Sequence, residues 1–150
     1  MLLLIDCLVA ELASFLIPTE KNSMERITPE ELAKWRSQLV NYLPAQKALL
    51  ELEDCEGDLE DAAISLAIRA GQQPQQDNAE WLASLAKRCR AAICQDSILR
   101  ENIATGELEK AAIALANLDL IPPILATPVL FYVLKQGLDQ FCQPFDQTPD

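Results

Sequence analysis

The chain has no histidine among its 150 residues. That removes the side chain that titrates nearest neutral pH, the commonest general base and a frequent metal ligand. Zinc-hydrolase HExxH motifs and Ser-His or Cys-His pairs are excluded with it. Glycine is scarce, with four in the whole chain, and none sits in a Walker loop, a GxGxxG fingerprint or a GxSxG elbow. Cationic residues are few: 12 Lys and Arg against 23 Asp and Glu give a net charge of −11. A field of that sign repels nucleic-acid phosphates and anionic lipid heads and attracts basic partners. The longest uncharged run, Leu120–Leu134, falls short of the roughly 20 residues of a membrane span and is broken by Pro122, Pro123 and Pro128. No catalytic, cofactor-binding or metal-ligating residue is therefore expected. Neither nucleic acid nor membrane is expected as a partner, and the expected location is the cytoplasm.

What is present is half hydrophobic and rich in Leu, Ala, Glu and Gln, enough for a packed, all-helical core. Cysteines at 7, 55, 89, 94 and 142 are scattered through apolar helical pattern, which reads as reduced, buried thiols.

Met1–Ile17 carries Leu4, Ile5, Leu8, Val9, Leu12, Phe15 and Leu16 at helical spacing and no basic residue. It reads as a one-sided helix that docks on the domain, with Thr19–Ser23 as a tail or linker. Met24 is a second candidate start, which would make 1–23 an upstream extension. Thr28-Pro29-Glu30-Glu31 is a capping box with proline in the first turn. The helix that follows is expected to bury Leu32, Trp35, Leu39 and Leu43 and to stop at Pro44. Helices are then expected over Ala45–Asp54, Asp58–Ala70, Asn78–Cys94 with Asp77 as cap, and Asp96–Ile103. A further helix reaches Leu118. Gly71–Gln76, GQQPQQ, reads as the linker between halves 28–70 and 77–118. Thr127-Pro128 is expected to open a buried core helix over 128–141, leaving 143–150 frayed. The single domain spans 24–142. The fold expected is a compact all-α bundle of six to eight short helices, as two helical-hairpin halves packed on an apolar C-terminal helix.

Gly57–Ala67 reads GDLEDAAISLA and Gly106–Ala116 reads GELEKAAIALA, identical at eight of eleven positions and 49 residues apart. In that register Leu50 meets Leu99. Each glycine permits a sharp reversal, and each alanine pair permits close helix approach. Leu59, Ala63 and Leu66 make one stripe and Ile64 and Ile68 another, so the first helix should be sandwiched. Asn117 in place of Ile68 thins the second.

With Leu49, Leu50, Gly57, Asp58, Leu59, Glu60, Ala62 and Leu66, the first hairpin resembles the second and third helices of ubiquitin-associated domains. Leu99, Gly106, Glu107, Leu108, Glu109, Ala111 and Leu115 repeat the pattern. The resemblance implies a small, non-catalytic helical binding module. The family's Met-Gly-Phe-type binding loop has no counterpart, since Asn41–Pro44 reads NYLP, so no ligand contact carries over.

Seven carboxylates fall in the eleven residues Glu51–Asp61. Their spacing does not match a calcium loop. They form an acidic knob at a helix turn, and Glu53, Asp54, Glu56, Asp58 and Asp61 are the candidate partner-binding residues. Lys87, Arg88, Arg90 and Arg100 are the one basic focus, expected to pair with that knob within the molecule or across a dimer. The function expected is a non-catalytic interaction or regulatory module for a basic or amphipathic partner segment. The alternatives are a small-ligand or lipid-binding helical domain and a peripheral membrane protein using Met1–Ile17.

Overall fold

A computed structural model of the chain describes residues 26–74 and 80–147. The expectations for Met1–Ile17, Thr19–Ser23 and the Asp77 cap lie outside them. The described chain is all-helical. Its helices are α1 (Pro29–Gln38), α2 (Leu43–Asp54), α3 (Leu59–Arg69), α4 (Trp81–Gln95), α5 (Ser97–Thr105), α6 (Leu108–Ala116), α7 (Ala126–Gln136) and α8 (Leu138–Asp146). A 3-10 turn at Pro123–Leu125 precedes α7.

The capping box forms as the sequence dictates: the Glu31 amide donates to Thr28 Oγ1 and the Thr28 amide to the Glu31 carboxylate. Pro44, expected to end this helix, instead sits in the first turn of the next. An amide missing there costs nothing, because first-turn amides have no intrahelical partner. Helix α1 therefore stops at Gln38, and Leu43 turns outward, 65% exposed rather than buried.

Helix α7 is the centre. Ala126 through Phe131 and Val133 are buried, and the helix packs against α2, α3, α4, α6 and α8. Trp35 of α1 stacks on Phe131, ring centroids 4.6 Å apart. The expected single helix over 128–141 is broken at Gly137, whose φ of +95° ends α7 and starts α8. Thr127 and Pro128 lie within the first turn of α7 rather than opening it. The expected fraying at 143 is also corrected, since α8 continues to Asp146.

The hairpins α2–α3 and α5–α6 flank this centre, and α3 and α6 both pack on α7 and on the 3-10 turn. Leu59, Ala62, Ala63, Leu66 and Ala67 are buried, as are Leu108, Ala111, Ala112, Leu115 and Ala116. The expected second buried stripe of α3 does not form, since Ile64 is half-buried and Ile68 exposed, and α6 likewise leaves Ile113 exposed. The first helices of the two hairpins do not follow the 49-residue register. Leu50 is 57% exposed whereas Leu99 is 1% exposed, and it is Leu49, at 0%, that occupies the matching place. The cause is one extra residue in the first turn. There the Gly57 amide closes on the Leu52 carbonyl after left-handed Glu56 (φ 56°), whereas in the second turn the Glu107 amide closes on Asn102 after left-handed Gly106.

Candidate interaction surface

The α2–α3 turn is built by its own carboxylates. Asp58 is buried and caps α3, accepting the Asp61 amide at 3.0 Å. It also lies 4.0 Å from the Arg26 guanidinium, where residues 26 and 58 form a short antiparallel bridge. Glu51 is fully buried between α2 and α3, where it accepts from the Ser65 hydroxyl and the Arg69 guanidinium. Glu60 is buried as well. Its carboxylate accepts the Leu82 amide at 3.1 Å, satisfying a first-turn donor of α4 to which the preceding Glu80 contributes no side-chain cap.

Of the five candidate partner-binding residues, Asp58 is thus structural. Glu53 is exposed and pairs with Arg36 at 2.9 Å. Glu56 is exposed, and Asp54 and Asp61 are half-buried beside it. Within the molecule, Arg90 and Arg100 of the basic focus meet other partners. Arg90 donates to the Phe141 carbonyl at 2.8 Å with its guanidinium 4.8 Å from the Phe141 ring centroid. Arg100 makes a two-pronged pair with Asp146 at 2.8 and 3.0 Å. Both fasten α8 to the body of the protein, and among the described residues Arg26, Arg36 and Arg69 pair with carboxylates of the acidic cluster.

At the other end of α2 lies a feature that sequence periodicity did not find. Leu43, Pro44 and Lys47 of α2, Ala70 after α3, and Pro122, Pro123 and Ile124 line a groove of about 420 Å³, open on its solvent side. Val40 in the α1–α2 loop, Ile68 of α3 and Leu120 ahead of the 3-10 turn are further exposed apolar side chains. The signal was there in Leu43 and Pro44. Once Pro44 is placed in a first turn, Leu43, Lys47, Leu50 and Asp54 share one outward stripe of α2. That stripe runs roughly 18 Å, from the apolar groove to the acidic turn.

The cysteines depart from the expectation of reduced thiols at three of the described positions, Cys55, Cys94 and Cys142, all of them disulfide-bonded. Cys94 and Cys142 form a disulfide between α4 and α8, their Cα atoms 5.6 Å apart. Cys89 is a buried free thiol, and burial pushes its pKa up, so it stays protonated near neutral pH. Among the described residues no group of three His, Cys, Asp or Glu is placed to hold a metal, and no helix is long and apolar enough to cross a membrane. Glu51 and Glu60 are the buried carboxylates on α2 and α3. Each is consumed by a structural contact. No protein-family model, curated protein or solved structure matches the chain.

Proposed function

We propose that this protein is a non-catalytic interaction module that takes up an amphipathic, basic helical segment along the outer stripe of α2. The observation that carries this reading is the exposed apolar groove at Leu43, Pro44 and Pro122–Ile124, continuous with exposed Leu50 and ending at the acidic turn. Exposed, clustered apolar side chains on a well-packed domain mark interaction surfaces. The apolar end supplies affinity by burial. The carboxylates Glu53, Asp54, Glu56 and Asp61, within a chain of net charge −11, attract and orient a basic partner more than they hold it.

The open solvent side of the groove favours a chain segment over an enclosed small molecule or lipid. The resemblance to ubiquitin-associated hairpins supports the same class of activity and assigns no ligand. The proposed setting is the cytoplasm, where a bond such as Cys94–Cys142 is redox-responsive rather than permanent.

The experiment is amide chemical-shift mapping with a helical peptide bearing leucines on one face and lysines on the other. Shifts concentrated in residues 40–54, 68–70 and 120–124 support the reading. Shifts spread evenly over the surface, or centred on α4, contradict it.

A further inference from the structure

We propose that Cys94–Cys142 is a redox latch: oxidised, it holds α8 against α4 and α7; reduced by a dithiol, it lets α8 leave, pivoting at Gly137. Helix α8 is short and lies at the rim. Only Phe141 and Cys142 among its residues are fully buried. Leu138 and Phe145 pack half-buried against the core at its two ends, and its polar ties gather around the bond. Arg90 holds the Phe141 carbonyl and ring from α4. Arg100 holds Asp146 and also donates to the Cys94 carbonyl at 3.2 Å. Tyr132 of α7 meets the Phe141 ring edge-on with centroids 6.5 Å apart. One buried aromatic, two half-buried apolar side chains and two guanidinium contacts must offset the ordering of a nine-residue helix. A covalent tie removes most of that cost, because Cys142 cannot leave while bonded. The pivot is suited to motion. Gly137, at φ +95°, separates α7 from α8, and the space where a side chain would sit is empty.

The redox step balances with a dithiol as co-reactant. Cys94 is the less enclosed partner, 5% exposed against 0% for Cys142. A thiolate of the dithiol attacks Cys94 Sγ, the Cys94–Cys142 bond breaks, and Cys142 departs as a thiolate that takes up a proton. The second thiol of the reductant then displaces Cys94 from the mixed disulfide. Two electrons and two protons end on Cys94 and Cys142, and the dithiol leaves as a disulfide. Released, α8 uncovers the strip of α4 and α7 that Phe141 occupies, beside Tyr132.

The test is hydrogen exchange of the full chain, read by mass spectrometry, in three states: oxidised, reduced with dithiothreitol, and as the Cys94→Ser/Cys142→Ser double variant. The double variant isolates this bond from every other effect of reductant. The latch predicts that amides of 138–146 lose protection at least a hundredfold in both the reduced protein and the variant. Residues 82–93 and 129–136 stay protected. Unchanged protection of α8 in the variant overturns the proposal. So does loss spread equally through α4 and α7, which marks a general staple, and so does a bond that dithiothreitol cannot reduce without unfolding the chain.

Discussion

The Ile27 amide donates to the Gly57 carbonyl at 2.7 Å, and a Cβ on Gly57 would collide with the Ile27 carbonyl oxygen. The N-terminal edge of the described domain is thereby locked against the α2–α3 turn. The second glycine of the repeat has no such neighbour. A Cβ on Gly106 would meet only Gln38 Nε2, at 3.6 Å. Gly106→Ala is therefore expected to cost about 1–2 kcal/mol, the strain of its left-handed backbone alone. Gly57→Ala carries the same strain plus the collision and is expected to cost clearly more. Urea denaturation of the two variants gives the comparison; equal losses would mean that the Ile27–Gly57 approach is not tight.

The paired glutamates of the repeat should also differ. Glu60 caps α4 through the Leu82 amide, whereas Glu109 is half-buried at the matching position of α6. Glu60→Ala is expected to destabilise by roughly 1–2 kcal/mol, the range of a lost N-terminal cap with its carboxylate. Glu109→Ala is expected to stay within about 0.5 kcal/mol. The same denaturation series measures both.

Thr127 is fully buried in the first turn of α7, and its hydroxyl has no hydrogen-bond partner among the described residues. A hydroxyl buried in this way costs about 1–3 kcal/mol against an apolar group of the same shape. Thr127→Val is expected to raise the melting temperature, and a lowered one would reveal a partner for the hydroxyl.

Acid should act through the start of α1. Burial alone pushes the Glu31 carboxyl up, but the Thr28 amide and the Lys135 ammonium at 3.0 Å outweigh it and hold the pKa below its ordinary value. A carboxyl depressed in the folded state stabilises above its unfolded pKa, and that contribution is lost as pH falls through the folded value. The gap in melting temperature between wild type and Glu31→Gln is therefore expected to hold from neutrality down to the ordinary carboxylate range and to narrow below it. A gap that widens as pH falls would contradict this.

The local chemistry of this fold was legible in the sequence wherever one signal acted alone. Thr28–Glu31 capped a helix as written, the two Gly-x-Leu-Glu-x-Ala-Ala segments both came to lie on α7, and the apolar run after Thr127-Pro128 supplied the centre as far as Gln136. The misreadings arose where one residue type serves two ends. Proline stops a helix and also starts one, so Pro44 hid the outward turn of Leu43 and with it the groove. Glycine tolerates left-handed backbone, but so did Glu56, and that one residue shifted the register of the first hairpin. The acidic knob looked uniform in sequence because charge does not reveal burial. In space Glu51, Asp58 and Glu60 are spent on the fold, leaving Glu53, Asp54, Glu56 and Asp61 at the turn. The Cys94–Cys142 pair joins helices 48 residues apart, a separation no spacing rule reads.

The most direct measurement is fluorescence anisotropy with a labelled basic amphipathic peptide of about 14 residues, long enough to lie along the ~18 Å stripe. It is titrated against wild type, Leu43→Asp and Ile98→Asp. Leu43 and Ile98 are comparably exposed, at 65% and 70%, on different helices. The account predicts that Leu43→Asp weakens binding at least tenfold, about 1.4 kcal/mol, while Ile98→Asp binds as wild type does. Equal weakening by both, or by neither, would contradict it.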